Sequence, residues 1–328
     1  MGTTLKRHSL DVSVATDLYR KMLLIRRFEE KCGEMYQRAK IGGFLHLYIG
    51  EEAVAAGSIP VLQPQDRIVT HYRDHGQAIA RGLDTKALMA ELFGRMGGTS
   101  KGKGGSMHLF DASKGFLGGY AIVGAMMPIA AGLGMAAKYL NEDRVCLCIF
   151  GDGAVNEGEF HESFNLISLY KLPVVLLLEN NGFGMGTRVE RVHSGGASIA
   201  RLGEAYRIPS EQVDGMDVLA VREAAIRAVE HARSGQGPYF LEALCYRFRG
   251  HSMADPVAYR AKEEEDLWRS RDPLVTFKRT LEGEGLTAAN LAAIEKSVEE
   301  EIEVAVAFAD KSPNPPPEEL YTDIYKES

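Results

Sequence analysis

The stretch from Val145 to Asn181, VCLCIFGDGAVNEGEFHESFNLISLYKLPVVLLLENN, decides the fold class. Its first part, 145–150, and its last, 174–179, are short continuous apolar runs, and the segment 159–170 between them is predicted to be a helix. Continuous rather than alternating apolarity is typical of parallel strands that are covered on both faces. The stretch therefore predicts a strand, a crossover helix and a second, parallel strand of an α/β sheet.

Polar residues follow both predicted strands at the point where each strand ends. Gly151-Asp152-Gly153 comes directly after the first strand, and Asn180-Asn181 directly after the second. Neighbouring parallel strands end at the same edge of a sheet, where open α/β folds bind ligands. Asp152 could instead cap a helix and Asn181 could be a turn residue. Their shared position at strand ends favours a magnesium site completed by phosphate oxygens, because Mg²⁺ prefers carboxylate and amide oxygen ligands.

The α/β pattern continues on both sides of this stretch. Helices are predicted over 16–40, from Asp84 to about 97, from Asp217 to about 235, over 261–281 and over 287–309, and a further strand over 239–248. We expect one α/β domain over 1–328, with a mostly parallel sheet and helices on both faces. Helical extensions are expected over 14–41 at the N-terminus and over 261–328 at the C-terminus.

Charge and cysteine content exclude several classes of protein. The chain carries 38 Lys+Arg against 45 Asp+Glu, a formal charge of −7, which argues against a nucleic-acid partner. Its four cysteines are widely scattered and are predicted to be reduced core residues rather than a disulfide framework or a zinc site.

One segment raises the question of membrane insertion. Residues 116–137 contain no charge over 22 residues, which is nominally long enough to cross a bilayer. Several glycines and Pro128 interrupt it, so we predict a buried loop followed by a helix that begins near Pro128. Residues 1–10 contain no apolar core of a signal peptide. We expect no membrane partner and a cytoplasmic location.

A dinucleotide-binding site is the alternative from another class of protein, because Gly151-Asp152-Gly153 begins like the G-x-G-x-x-G fingerprint. The third glycine is replaced by Asn156, and Asp152 would repel a pyrophosphate unless a cation lies between them. A second match, over 132–137, lies in a predicted helix that follows no strand, so helix packing explains it better. A nicotinamide-dependent oxidoreductase stays open as the alternative.

Further segments extend the pattern around the metal motif. Together they resemble a known family of proteins from about Leu18 to Tyr325. They are GFLHL at 43–47, Tyr72-Arg73 with His75-Gly76, KGKGGSMH at 101–108, IVG at 122–124, GMGT at 184–187, DGMD at 214–217 and GHSM at 250–253. Together with Gly-Asp-Gly and Asn-Asn, they resemble the α subunits of pyruvate dehydrogenase E1 components, which are thiamine diphosphate-dependent 2-oxo acid dehydrogenases. The resemblance implies a thiamine diphosphate-binding fold, of which this chain supplies the half that holds diphosphate and magnesium.

The resemblance also implies a role for individual residues. It implies magnesium binding by the side chains of Asp152 and Asn181 and by the backbone carbonyl of Phe183, and cofactor contacts from Tyr72, Arg73, Ala121, Val123, Gly153, Ala154 and His251. Tyr72 and Arg73 suit diphosphate oxygens, although they could be an ordinary surface pair. His46 and His251 are expected near the 2-oxo acid, donating hydrogen bonds or moving protons, although a lone histidine is often structural. We assign no catalytic role to His71, His75 or His108.

The function implied by the resemblance is oxidative decarboxylation of pyruvate with thiamine diphosphate and Mg²⁺, followed by transfer of the acetyl group to the lipoyl domain of an E2 transacetylase. In this family a separate β subunit supplies the activating carboxylate, so we expect an α2β2 heterotetramer and no turnover by this chain alone. Acetoin or a branched-chain 2-oxo acid are alternative substrates, and a non-catalytic scaffold subunit is a further alternative. The stretches 184–187 and 251–256 resemble the pyruvate enzyme more closely.

Ser252 resembles a serine that is phosphorylated in mitochondrial relatives. Ala258 and Arg188 stand where the other regulatory serines of those relatives are expected. Because the chain shows no transit peptide, a bacterial, cytoplasmic origin is expected, without kinase control. A phosphate on Ser252 would still be expected to inhibit, because it adds negative charge beside an anionic cofactor.

Overall fold

A computed structural model describes residues 11–196 and 198–325. Within them, six parallel strands form one sheet in the order β2-β1-β3-β4-β8-β7, and two short antiparallel strands, β5 and β6, form a separate ribbon. The strands are β1 Arg67–His71, β2 Phe116–Tyr120, β3 Cys146–Gly151, β4 Val174–Asn180, β5 Phe183–Gly184, β6 Thr187–Arg188, β7 Ser210–Asp214 and β8 Tyr239–Leu244.

Helices connect the strands and extend the fold at both ends. They are α1 Val12–Gln37, α2 Glu52–Ser58, α3 His75–Arg81, α4 Thr85–Leu92, α5 Met126–Tyr139, α6 Gly158–Leu169, α7 Val189–Val192, α8 Leu202–Ala205, α9 Val218–Arg233, α10 Lys262–Arg269, α11 Pro273–Gly283 and α12 Ala288–Lys311. The N-terminal helix α1 packs against α11 and α12, and α12 also packs against α4. The predicted fold class, with helical segments at both ends, is confirmed.

The two faces of the sheet belong to two different apolar cores. In β3, Leu147 and Ile149 join a core that also contains residues of α1, α3 and α9, whereas Cys146 and Cys148 join the core under α5 and α6. Every residue of β3 from Cys146 to Phe150 is therefore buried. This two-sided coverage is the physical reason for the continuous apolar runs from which the parallel sheet was predicted.

Three strands of the sheet, β1, β2 and β7, were not predicted. β2 lies inside the segment for which a buried loop was expected, and it pairs with β1. The glycines of β2 explain why this strand was not predicted, because glycine is depleted in strands. At Gly119 a Cβ atom would lie 2.1 Å from the Asp74 carboxylate, so the close approach of these two segments requires glycine there.

Several element boundaries also differ from the prediction. The first helix begins at Val12 rather than at residue 16, because Asp11 caps it and accepts a hydrogen bond from Ser13 N at 2.9 Å. The single helix expected over 261–281 is two helices. Asp272 begins the second of them by accepting from Leu274 N at 2.9 Å, with Pro273 at its first position.

Other expectations concern targeting and cysteine chemistry. Within the described residues, none of the helices combines the length and the apolarity that a bilayer crossing would need. The expectation for residues 1–10 lies outside the described residues. All four cysteines are buried, and in this part of the chain they are free thiols, as predicted.

Candidate active site

A cavity of about 370 Å³ lies at the edge of the sheet where the strands β1, β3 and β4 end. Its walls include most of the residues for which a cofactor or metal role is expected. These are Tyr72, Arg73, Val123, Asp152, Gly153, Ala154, Asn181, Phe183 and His251. Residues that are far apart in sequence therefore meet where parallel α/β sheets bind ligands.

Asp152 lines this cavity and lies in the 3₁₀ turn Asp152–Asn156 that follows β3. Its side chain is only 4% exposed, and its Oδ2 has no hydrogen-bond partner among the described residues. Burial raises the pKa of Asp152 to about 7, against the opposing effect of the nearby Arg247 guanidinium. A buried, unpartnered carboxylate oxygen is costly unless a proton or a cation neutralises it. The chemistry of Asp152 therefore fits a metal ligand.

Asn181 supplies a second oxygen at the same edge. Its Nδ2 donates to Glu51 Oε1 at 2.9 Å, and its Oδ1 accepts from Phe183 N at 3.2 Å, which leaves one lone pair of Oδ1 for a further ligand. Asp152, Asn181 and the backbone of Phe183 all line the cavity and can offer a carboxylate, an amide and a carbonyl oxygen. This all-oxygen donor set is the kind that Mg²⁺ prefers, so the residues fit that ion.

Two buried guanidinium groups place positive charge beside these oxygen ligands. Arg73 donates to Leu47 O at 2.9 Å and to His251 O at 2.8 Å, which fixes the plane of the group. Two of its five N–H groups are used in this way. Arg247 is also buried and lines the same cavity. An anion such as a diphosphate, bridged to the protein by a divalent cation, matches this arrangement of charges.

His46, His251 and Tyr72 form a cluster of three rings at one side of the cavity. The ring centroid of His46 lies 4.7 Å from that of Tyr72 and 5.1 Å from that of His251. Burial and the Arg73 guanidinium lower the pKa of His46 to about 3 and that of His251 to about 4. Both imidazoles are therefore neutral at pH 7. Their Nδ1 atoms are buried and lack a hydrogen-bond partner within the described residues.

Two of the expected site residues do not line the cavity. His46 is not part of the cavity wall, but its ring packs against those of Tyr72 and His251, which are. Ala121 directly follows β2, whose Tyr120 lies opposite His71 in the strand register. It is thus near the same sheet edge but outside the cavity wall.

The cavity residues that were not among the expected site residues include Glu51, His71, Glu179 and Arg247. His71 Nδ1 accepts from Arg73 N at 3.1 Å, so its Nε2 carries the proton and donates to Glu179 Oε2 at 2.7 Å. Both ring nitrogens of His71 are therefore used in local hydrogen bonds. Glu179 and Arg247 stand at or just after the ends of β4 and β8, and that position was the available signal. Glu51 comes from the start of α2, to which no strand pattern points.

The local geometry argues against the dinucleotide alternative. In a dinucleotide-binding motif the pyrophosphate lies at the N-terminus of the helix that the glycines open. Here a 3₁₀ turn follows Gly151, and α6 begins only at Gly158. The other glycine match, over 132–137, lies inside α5, as expected.

Comparison with known proteins gives a consistent result. The model of the family described as "Dehydrogenase E1 component" matches residues 20–318. The chain is 51% identical to a pyruvate dehydrogenase E1 component subunit alpha of Rhizobium meliloti (strain 1021), over 93% of this chain and 88% of that protein. It is 47% identical to the protein of the same name from Zymomonas mobilis, over 97% and 90% of the two chains. A chloroplastic subunit alpha-3 from Oryza sativa is 43% identical, over 95% and 76%.

Proposed function

The chain belongs to the dehydrogenase E1 component family, and we propose that it acts as the α subunit of a pyruvate dehydrogenase E1 component that uses thiamine diphosphate and Mg²⁺. Its relatives carry that subunit's name at 43% to 51% identity over nearly the whole chain. The observation that supports the cofactor best is the buried, unpartnered Oδ2 of Asp152, which lines the same cavity as Asn181 and Arg73.

In this proposal, Asp152, Asn181 and the carbonyl of Phe183 hold Mg²⁺. Tyr72 and Arg73 hold the diphosphate through charge-assisted hydrogen bonds, and Arg247 adds positive charge in the same cavity. The backbone of Gly153 and Ala154 adds N–H donors, and Ala121 and Val123 contact the aminopyrimidine side. When bound, thiamine diphosphate supplies the carbon nucleophile and the electron sink for decarboxylation of a 2-oxo acid. The whole chain then serves as the diphosphate- and magnesium-binding half of the site.

His46 and His251 act as neutral hydrogen-bonding groups near the substrate. Because burial and Arg73 keep both rings uncharged, the N–H group of His251, which lines the cavity, can donate to a 2-oxo acid, and His46 packs against it. The two rings lie edge to face at 5.1 Å, so that each limits the rotation of the other. The cluster therefore provides a fixed set of donors next to the cation site.

A second chain completes the site in this proposal. Val123, which lines the cavity, is 41% exposed, and the preceding residue Ile122 is 72% exposed. Exposed apolar surface beside a cavity is typical of an interface with another protein. We assign this surface to the β subunit of an α2β2 assembly, which passes the acetyl group to the lipoyl domain of an E2 transacetylase.

The test is reconstitution with the cognate β subunit. The co-expressed chains, supplied with thiamine diphosphate and Mg²⁺, are assayed with pyruvate, acetoin and 3-methyl-2-oxobutanoate. We expect the highest kcat/KM with pyruvate and no turnover by this chain alone. A higher value with either of the other substrates would contradict the assigned substrate, and decarboxylation by the isolated chain would contradict the shared site.

A further inference from the structure

Glu51 is the most deeply buried acid in the cavity wall for which nothing above assigns a role. It is 1% exposed and stands directly before α2, where its backbone N–H donates to Tyr48 O at 3.2 Å. Its Oε1 accepts from Asn181 Nδ2 at 2.9 Å. Its Oε2 lies 3.8 Å from Arg73 Nε and has no hydrogen-bond partner among the described residues. One carboxylate thus touches both the metal-binding amide and the diphosphate-binding guanidinium.

The chemistry of these contacts fixes the orientation of the Asn181 amide. A side-chain amide can turn by half a rotation and exchange its oxygen with its nitrogen. An ionised carboxylate accepts hydrogen bonds but cannot donate them, so Glu51 can face only the nitrogen. Phe183 N–H, at 3.2 Å, can face only the oxygen. The two partners together exclude the flipped amide, which would present N–H donors to a cation.

We propose that Glu51 is a positioning residue for the cation site, holding the Asn181 amide with its oxygen toward the cavity. This inference rests on the proposed magnesium–diphosphate site. Partners of metal ligands that do not touch the metal typically contribute 10–100-fold to metal affinity. Glu51 fits that description, since its bond goes to the ligand's nitrogen and leaves the ligand's oxygen free.

The test measures cation affinity directly. Mn²⁺, a paramagnetic substitute for Mg²⁺, is titrated into the α–β complex in the presence of thiamine diphosphate, and free Mn²⁺ is read by electron paramagnetic resonance. E51A and E51D both remove the bond to Asn181, and E51D keeps the charge. We expect each to weaken Mn²⁺ binding about 10–100-fold. E51Q, whose carbonyl can still accept from Nδ2 but whose amide can also turn to donate, is expected to lose less Mn²⁺ affinity than E51A.

A matched control is the neighbouring buried acid Glu52, which binds Arg26 and Gly50 N and does not line the cavity. E52Q is expected to lower the unfolding temperature and leave Mn²⁺ affinity within about twofold. A positioning role also predicts that activity of E51D recovers at saturating metal, since only the metal-bound fraction has changed. Wild-type affinity in E51A and E51D would overturn the inference, as would equal losses in E51Q and E51A. Normal Mn²⁺ binding by the wild type without pyruvate turnover would contradict the proposed function alone, and no binding by the wild type would overturn both.

Discussion

Gly151 lies directly opposite Glu179 in the parallel register of β3 and β4. The strand β3 ends at Gly151 and β4 ends one residue after Glu179, so the chain leaves the two strands within one residue of the same level. Asp152 is the first residue after Gly151, and Asn181 is the second after Glu179, so one strand register brings the acid and the amide to one cavity. The candidate metal site is thus a direct consequence of how two buried strands align.

A first prediction concerns the cost of keeping Asp152 ionised. In D152N the unpartnered, buried carboxylate becomes a neutral amide, so we expect the metal-free protein to gain about 1–3 kcal/mol in the free energy of unfolding at pH 8. Mn²⁺ affinity is expected to fall at least about 10-fold, because an anionic ligand is lost. Guanidinium unfolding and Mn²⁺ titration measure the two effects. The control D310N removes a surface ion pair with Lys40. It should change the free energy of unfolding and the free energy of Mn²⁺ binding by no more than about 0.5 kcal/mol each. Full metal affinity in D152N would contradict the ligand role.

The sequence predicted this part of the site because strand ends are visible as a change from apolar to polar residues. Asp152 and Asn181 both stand at such a change. The same signal is weak for β7, an edge strand with no fully buried residue. It is also weak for β1, in which only the three central residues are buried and one of these is Thr70. The edge strand β7 buries too little apolar surface to give a continuous apolar run, and the interior strand β1 is too short in its buried part to give one.

The residues that were missed depend on tertiary contacts rather than on local pattern. Glu51 meets Asn181 across 130 positions of the chain, through the packing of α2 against α1, α3 and α9. Arg247 comes after β8 in a stretch where an arginine is ordinarily a surface residue. Its burial becomes intelligible only when the acids Glu51 and Asp152 are seen in the same cavity. In a single sequence such compensating charges appear as separate residues, with nothing to indicate that they meet in the fold.

A second prediction concerns the two histidines. Burial and Arg73 hold the pKa of His46 at about 3 and that of His251 at about 4, so their cationic forms exist only at lower pH. Neither ring should then contribute an ionisation to kcat/KM between pH 5.5 and 8. H251Q is expected to lower kcat/KM about 100-fold without changing the shape of that profile. H161Q, at an exposed histidine on α6, serves as the control. A basic limb that is present in the wild type and lost in H251Q would show that the charged imidazole is the active form.

A third prediction concerns negative charge at Ser252. The Ser252 carbonyl accepts from Asp255 N at 3.1 Å, and the Asp255 carboxylate holds His251 N and the Tyr259 hydroxyl, both at 2.6 Å. In S252E a second acid stands beside Asp255, and repulsion should loosen the turn that presents His251. We expect kcat/KM for pyruvate to fall at least about 10-fold, a loss of about 1.4 kcal/mol in transition-state stabilisation. S252A separates the effect of charge from the loss of the hydroxyl. Equal rates for S252E and S252A would contradict the electrostatic explanation.

The last prediction concerns the pH dependence of stability at Asp74, which is buried beside Gly119. Its Oδ2 accepts from Leu109 N at 3.0 Å, while its Oδ1 has no hydrogen-bond partner in the described part of the chain. Burial raises the pKa of Asp74 to about 7. Because the unfolded chain ionises this group near its ordinary pKa of about 4, only the folded state holds the proton between about pH 4 and 7. The free energy of unfolding therefore decreases as the pH rises through that window.

D74N should remove this slope, since an asparagine oxygen can still accept from Leu109 N and the amide does not ionise. Relative to D74N, the wild type is expected to lose about 2 kcal/mol between pH 5.5 and 7.5, at about 1.4 kcal/mol for each pH unit below the folded pKa. Urea unfolding at the two pH values, at fixed protein concentration, measures the difference. Burial lowers the pKa of the adjacent His75, but the Glu29 carboxylate outweighs this and raises it. His75 also loses its stabilising proton as the pH rises, and it is present in both proteins. Parallel pH profiles for the two proteins would mean that Asp74 is already ionised in the folded state.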